Sequence, residues 1–189
     1  MMVGVNGGSL KPHDCVARVA EERRIRKGLH TEPLAEADWD LYTDGSSRRE
    51  AGGIRASYAM VRDSGGVYDT IKSGEIPQPA SAQPAEITAL TRALELSEGH
   101  QVYIFTDSNY AWTAVHVEGT AWVRHGFKTS TGRPVKHDQS LRRLLQAVHR
   151  PREVAVVEVQ GHSVLRTREA LGNDAADRAA KLAVQIVTL

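Results

Sequence analysis

The spacing of apolar residues changes repeatedly along the chain from Trp39 onward, and each spacing predicts an element of secondary structure. Short apolar or alternating runs bounded by turn residues predict strands. One strand lies in WDLYTDGS, two lie in GGIRASYAMVRDSGGVYDTIKSGEI on either side of a turn at residues 63–66, and two more lie in VYIFT and EVAVVEVQ. Because VYIFT is apolar throughout, it is predicted to lie in the middle of a sheet covered on both faces.

Apolar residues at helical spacing predict four helices among these strands. The first opens at Pro84 and ends near Gly99, a residue that suits a helix C-cap. A short helix is predicted over residues 108–117, a third over residues 140–150, and an Ala-rich helix from Asn173 to about residue 187. This order of elements predicts an α/β fold in which a mixed sheet carries helices on both faces.

The first 37 residues lack this patterning. Their start is rich in glycine and is predicted to be partly disordered, and residues 15–29 are predicted to form one short basic helix. No apolar face there is large enough to fold alone. The chain is therefore predicted to consist of a tail, residues 1–37, and one domain, residues 38–187.

Composition narrows the class of protein. The chain has 189 residues and a formal net charge of +1, which is ordinary for a globular protein. Its one cysteine excludes an internal disulfide, and no Cys/His cluster has the spacing of a zinc site. The sequence opens without a secretory signal, and no apolar run approaches the ~18 residues that a membrane span requires. An intracellular location, cytoplasmic or nuclear rather than secreted, is therefore expected.

Four acids occupy positions where ordinary packing has little use for them. Asp44 and Asp107 each close a predicted strand with the sequence Thr-Asp, and Glu86 and Asp177 lie in the first turns of two predicted helices. Glu86 falls in the middle of the apolar arc of its helix, where an unpaired carboxylate is costly. If the two strands are parallel neighbours, both aspartates emerge at the same sheet edge. Acids that converge without basic partners indicate a pair of divalent metal ions and phosphodiester chemistry.

Each acid also has an ordinary structural explanation. Glu86 and Asp177 would suit the positive N-terminal ends of their helices, the second of which has Asn173 as its predicted N-cap. Asp44 would suit a hairpin turn, and Asp107 would suit a helix N-cap. The repeated Thr-Asp sequence and the face on which Glu86 lies favour a site over these explanations.

These residues and the segments around them resemble a type 1 ribonuclease H domain, specifically that of a gammaretrovirus-like (endogenous retroviral) reverse transcriptase polyprotein. The resemblance runs from about Trp39 to Val184 and rests on YTDGSS, SAQPAEITALTRAL, TDSNYAW, HVEGTAWVRHGFKTSTGRPVK, and GHS followed by GNDAADRAAK. It implies a ribonuclease H-like fold with a five-stranded sheet of order 3-2-1-4-5, whose first three strands are antiparallel. Residues 13–37 resemble the end of the connection segment that precedes this domain in such polyproteins.

The resemblance implies a role for each acid. Asp44 would bridge two Mg²⁺ ions, for which Mn²⁺ can substitute. Glu86 and Asp107 would complete the site of the leaving group, and Asp177 the site that activates the attacking water. His162, in GHSVLRTRE, matches a histidine on a mobile loop that assists proton transfer or product release, although a solvated loop histidine would give the same pattern.

Further residues are predicted to contact nucleic acid. Gln83 matches a position that contacts the minor groove and the ribose hydroxyls, and Ser46 is expected to help. Residues 119–150, called the basic insertion below, hold seven Lys/Arg against one acid. This imbalance favours a patch that follows a phosphate backbone over a solvated helical face, and it matches the basic protrusion of the resembling family. The other predicted contacts are Tyr110, Trp122, Arg124, Lys128, Arg133 and Lys136.

The leading prediction is a metal-dependent endonuclease that cuts the RNA strand of an RNA–DNA hybrid, with a reverse transcriptase polymerase domain as a further partner. Two positions depart from the resembling family: Ala82 replaces an asparagine of many cellular members, and Asn109 replaces an arginine of close viral ones. One rival is a catalytically idle, retroelement-derived domain that binds nucleic acid or protein. Another is a different nuclease of the same superfold, such as an integrase or resolvase.

Overall fold

A computed structural model describes residues 24–160 and 167–185, which form one mixed sheet with helices on both faces. The strands are β1 (Leu29–His30), β2 (Trp39–Glu50), β3 (Gly53–Asp63), β4 (Tyr68–Glu75), β5 (Gln101–Thr106) and β6 (Glu153–Glu158). The helices are α1 (Ala82–Leu96), α2 (Asn109–Thr113), α3 (Gly119–Arg124), α4 (Asp138–Ala147) and α5 (Arg168–Gln185), with a π-helical turn, Ala114–Glu118, between α2 and α3.

The strand order across the sheet is β1-β6-β5-β2-β3-β4. Strands β2, β3 and β4 form an antiparallel meander, and β5 and β6 add in parallel beside β2. Without β1 this is the order 3-2-1-4-5, so the predicted fold is confirmed. The strand count is corrected from five to six, because Leu29 and His30 pair in parallel with β6. The sequence did not predict β1, because two residues are too few to show the alternation of a strand. They also lie in the segment that was assigned to the tail.

The core has one layer on each face of the sheet, because successive strand residues point to opposite faces. Leu41 packs with Ile104 and with the apolar side of α1 and α4, whereas the next residue, Tyr42, packs with Phe105 and the alanines of α5. The rings of Tyr42 and Phe105 are stacked with their centroids 4.6 Å apart. Small residues on α5, among them Ala176 and Ala180, let that helix lie close to this aromatic layer.

Helix α5 begins earlier than the sequence predicts. Its first residue is Arg168 rather than a residue after Asn173, and the Thr167 hydroxyl accepts a hydrogen bond from the Ala170 amide at 3.2 Å. Asn173 lies inside the helix and is 4% exposed. The predicted N-cap at Asn173 is therefore wrong. Asparagine is a common cap, but here its side chain bonds to another element.

The segment before β2 is attached to the domain by arginine. Arg26 donates to the carbonyl oxygens of Val148 and Arg152 at 2.8 and 2.7 Å, and Leu29 is fully buried. The basic helix predicted over residues 15–29 is wrong for its described part, because residues 24–28 form bends and turns.

In the part of the chain that the structure describes, no helix is both long and apolar enough to span a membrane.

Candidate active site at the carboxyl edge of the sheet

Asp44 and Asp107 stand side by side at the edge where parallel pairing stops. The last parallel pair of β2 and β5 is Thr43 with Thr106, and each aspartate is the next residue. The prediction that Asp44 ends a strand is wrong, because β2 continues to Glu50 along β3. Its consequence still holds: both carboxylates emerge at the carboxyl edge of neighbouring parallel strands, where open α/β sheets bind ligands.

Glu86 reaches this edge because α1 lies directly on β2. A Cβ added to Gly45 would overlap the backbone of Ala85 and Glu86, so only glycine allows this approach. The Glu86 carboxylate accepts a hydrogen bond from the Ser108 hydroxyl at 2.5 Å. Burial raises the pKa of Glu86, the bond from Ser108 opposes that shift, and the negative charge of Asp107 adds to it. Glu86 and Asp107 are therefore electrostatic neighbours.

Helix α5 brings the fourth acid. The buried Asn173 amide donates to the Asp107 carboxylate at 3.2 Å and so links α5 to the residue that follows β5. Asp177 follows one turn later and accepts a hydrogen bond from the Lys181 ammonium at 2.6 Å. The expectation that none of the acids has a basic partner is thus wrong for Asp177. Lys181 has a 56% exposed side chain, which leaves this ion pair open to solvent.

Asp44 is the acid on which the charges of the other three all act. It is 8% exposed, and its pKa is raised to about 8, first by burial and then by the charges of Asp107 and Asp177. Glu86 adds to the shift, and a hydrogen bond from the Gly45 amide opposes it. A buried carboxylate among three other acids is costly to ionise, and a cation between them would remove much of that cost.

The donor set fits a hard divalent cation. Within the described residues, no group of three or more His, Cys, Asp and Glu side chains lies close enough together to hold one ion. Magnesium usually binds through one or two carboxylates while keeping several waters, so it does not need such a cage. Carboxylate oxygens are the ligands that Mg²⁺ and Mn²⁺ prefer.

The structural explanations for the four acids are wrong. Ser108, not Asp107, caps α2 by accepting a bond from the Ala111 amide at 3.1 Å. Asp44 lies within a strand rather than in a turn, and the first turn of α1 holds no acid. Asp177 lies in the middle of α5, away from its N-terminus. Their assignment as metal ligands stays a prediction.

A family model described as RNase H matches residues 36–185. The chain belongs to the RNase H family. It is 40% identical over 180 residues to the Gag-Pol polyprotein of Baboon endogenous virus (strain M7) and 39% identical over 177 residues to the Pol polyprotein of Feline endogenous virus ECE1. Both matches cover 94% of this chain but only 10% and 16% of the polyproteins. The predicted resemblance to gammaretrovirus-like polyproteins is confirmed.

Solved structures show the same fold. The foamy viral protease-reverse transcriptase in complex with an RNA/DNA hybrid matches 82% of this chain with 21% of its own, at a TM-score of 0.70 and 23% identity. The solution structure of the PFV RNase H domain matches 80% of this chain with 97% of its own, at a TM-score of 0.66 and 24% identity. At these identities the likeness concerns the fold alone.

Three predicted nucleic-acid contacts flank the acids of this RNase H domain. Gln83 lies in the first turn of α1, one turn before Glu86. Tyr110 is half-buried, and its pKa is raised by burial and by the charge of Glu86, which places its ring near that acid. Ser46 lines a cavity of about 240 Å³ together with Lys181. Whether these residues touch nucleic acid stays a prediction.

All seven cations of the basic insertion are exposed, and they differ in whether their side chains have a partner. Trp122 is partly buried and packs against the core. Four of these cations have side chains with no hydrogen bond or ion pair to any described residue: Arg124, Lys128, Arg133 and Lys136. The remaining three are used internally: Arg142 lies over the Phe127 ring at 4.0 Å, Arg143 bonds to Glu95, and Arg150 bonds to Glu98.

Sequence reasoning missed the residues that hold the acids in place. Ser108, Asn173 and Lys181 each bond to one of the four carboxylates, and Gly45 allows the contact between strand and helix. The spacing of Asp177 and Lys181, i to i+4, was visible in the sequence as a helical ion pair. The other contacts join elements that are distant along the chain and left no local signal. His162 lies outside the described residues.

Proposed function

We propose that this domain is a metal-dependent endonuclease that hydrolyses the RNA strand of RNA–DNA hybrids and leaves 3′-hydroxyl and 5′-phosphate ends. The observation that carries the proposal is the position of Asp44. It is buried at the carboxyl edge of the sheet, and the charges of Asp107, Asp177 and Glu86 all act on it. Membership of the RNase H family supports the choice of substrate.

The four acids would hold two Mg²⁺ or Mn²⁺ ions, with Asp44 shared between them. When bound, such ions would polarise the phosphate, lower the pKa of a water and stabilise the leaving oxygen. Glu86 and Asp107 would serve the leaving-group side, and Asp177 would serve the side of the attacking water. His162 would move a proton or help product leave, a role that its near-neutral intrinsic pKa allows.

The chain itself supplies rigid positions for these groups. Asp44 is paired with Ala59 of β3, one residue after the last pair of β2 with β5. Ser108 holds Glu86, and Asn173 holds Asp107. Ligands that are held by hydrogen bonds need little reorganisation when charge develops on the phosphate. Ser46, Gln83 and the four cations of the basic insertion whose side chains have no described partner would bind the hybrid.

The similar proteins support a proposal for the substrate and the neighbouring domain of this chain. One structural neighbour is a foamy viral protease-reverse transcriptase in complex with an RNA/DNA hybrid, and the curated relatives are polyproteins of which this chain spans 10% and 16%. We propose an RNA–DNA hybrid as the substrate, a polymerase domain of the same polyprotein as a neighbour, and an intracellular site of action.

The decisive experiment compares three substrates of the same base sequence: an RNA–DNA hybrid, duplex RNA and duplex DNA. With Mg²⁺ the hybrid alone should be cut, in its RNA strand, and chelator or Asp44→Asn should stop the reaction. Hybrid binding without cleavage, by a chain that also binds Mn²⁺, would instead support the catalytically idle domain. Equal cleavage of duplex DNA would point to another nuclease of the superfold.

A further inference from the structure

Asp63 is a buried acid that the proposed chemistry does not use. Its side chain is completely buried at the end of β3, opposite Asp40 on β2. One carboxylate oxygen accepts from the Gly66 amide at 2.7 Å, and the other accepts from Arg168 Nε at 2.5 Å. Burial alone would raise the pKa of Asp63, but the bonds from Arg168 and Gly66 hold it below its ordinary value.

Arg168 joins this acid to the start of α5. Its guanidinium donates to Asp40 as well as to Asp63, so its fork spans two neighbouring strands. Its carbonyl oxygen lies 3.2 Å from the Tyr68 hydroxyl and 3.5 Å from the Tyr42 hydroxyl. The side chain and the main chain of the first residue of α5 are therefore both tied to the sheet.

The same helix carries residues of the candidate active site. One turn after Arg168, a Cβ on Gly172 would overlap the Tyr42 ring, so the backbone of α5 lies in direct contact with the sheet there. Asn173 then donates to Asp107, and Asp177 lies where its charge acts on Asp44. At 1.5 Å per residue, Asp177 is only ~13–14 Å along the axis from Arg168. A helix this short acts as a rod, so fixing its start also fixes the acid.

We propose that Arg168, through Asp63 and Asp40, is a positioning residue that sets where α5 presents Asp177 and Asn173 to the other carboxylates. Arg168 touches none of the four acids and acts through the helix. The inference rests on the proposed function for its catalytic consequence, whereas its effect on cation binding and on helix order does not depend on substrate.

The chain offers a matched control for removing Arg168. Arg143 makes a similar two-point bond, to Glu95 at 2.7 and 3.0 Å, and the two arginine side chains are 52% and 56% exposed. The Arg143 pair joins α4 to α1 and does not contact α5. Arg168→Met and Arg143→Met therefore remove equal charge and two hydrogen bonds to carboxylate each. Only the first releases α5, and only the first leaves a buried acid, Asp63, without its cation.

The test measures Mn²⁺ binding by calorimetry without substrate, hydrogen exchange in α5, and kcat and KM on the hybrid. Arg168→Met should weaken Mn²⁺ binding about 10-fold and lower kcat by roughly 10- to 100-fold, the range for groups that hold metal ligands in place. KM should stay nearly unchanged, and amides near Asn173 should exchange faster. Arg168→Lys should restore part of each change, and Arg143→Met should leave Mn²⁺ binding and kcat as in the wild type.

Asp40→Asn provides a milder second variant if Arg168→Met fails to fold, because it keeps the bond to the buried Asp63. It should shift Mn²⁺ binding and α5 exchange in the same direction by a smaller factor. Wild-type Mn²⁺ binding and exchange in the folded variants, or equal changes in Arg143→Met, would overturn the positioning role. If the wild type cuts no hybrid, the proposed function fails, while Mn²⁺ binding and exchange still decide the role of Arg168.

Discussion

At the carboxyl edge of the sheet, four carboxylates lie on elements that pack tightly together, and Asp44 among them is 8% exposed. In the basic insertion, by contrast, the charges are positive and exposed: four cationic side chains have no partner among the described residues. The acids repel each other across a partly buried space, and Lys181 is the only cationic side chain among the described residues that bonds to any of the four. The cations repel each other only weakly, because water surrounds and screens their charges.

The difference indicates two kinds of function. Buried charges on rigid elements interact strongly and store an electrostatic cost that a bound cation relieves, which suits chemistry at a fixed point. Exposed lysine and arginine side chains are screened by salt and adapt to a partner, which suits holding a charged backbone. We therefore expect changes at the acidic edge to alter the rate, and changes in the basic insertion to alter affinity.

The largest expected effect comes from Asp44→Asn. A neutral amide cannot hold two cations, so hybrid cleavage should fall by ~10³-fold or more. Single-turnover cleavage with Mg²⁺ measures this loss, and hybrid binding by fluorescence anisotropy should change little. A variant that cuts at the wild-type rate would show that the acidic edge is not the metal site.

The basic insertion is tested by neutralising Arg124, Lys128 and Lys136 together. Each lost phosphate contact flattens the dependence of log affinity on log salt by about 0.9, so the slope should change by about 2–3 and KM should rise. At saturating substrate kcat should stay nearly unchanged. A salt series of kcat and KM measures both effects.

A control variant neutralises Arg142, Arg143 and Arg150, which removes the same charge from cations that are used internally. It should change the salt slope much less than the first variant. A collapse of kcat with an unchanged slope in the first variant would place its residues at the chemistry or in the core. The basic insertion would then not bind the hybrid.

Gly45→Ala should disrupt the acidic edge without removing an acid. The added Cβ overlaps the backbone of Glu86, so α1 must move off β2 at a cost of about 1–3 kcal/mol in unfolding free energy. Cleavage should fall as well, because Glu86 moves with the helix. Denaturant unfolding measures the stability change. Gly52→Ala is the control, since its Cβ would meet no atom within 4 Å, and equal effects of the two substitutions would contradict the close contact.

The smallest effect is expected in the stability of Asp44→Asn without metal. The pKa of Asp44 is about 8 in the folded chain against an ordinary 3.8, so the wild type loses stability as pH rises from about 4 towards 8. Asparagine avoids that loss. In chelator near pH 7.5 the variant should be more stable by about 1 kcal/mol or more, since one pKa unit corresponds to about 1.4 kcal/mol. Thermal unfolding at pH 4 and pH 7.5 measures this, and an advantage that is equal at both values would rule out ionisation as its cause.

Local patterns determined much of the fold. The turn between β3 and β4, the apolar β5 and the periodic α4 were all predicted, because each depends on neighbours in sequence. The wrong predictions concern elements whose bounds depend on contacts with residues distant along the chain. β1 is a strand only because β6 offers it an edge, and α5 begins at Arg168 because Asp63 and two tyrosines hold that residue.

The features of the candidate site also fall into those that the sequence predicts and those that depend on tertiary structure. The sequence alone determined which acids stand out, since the repeated Thr-Asp and the apolar arc around Glu86 are local features, and it indicated the family. Tertiary structure alone decided that Asp44 is buried, that Asn173 and Ser108 hold two of the carboxylates, and that three cations of the basic insertion are used internally. The reason is physical: burial and hydrogen bonding depend on atoms that folding brings together from distant parts of the chain, and no local period records them.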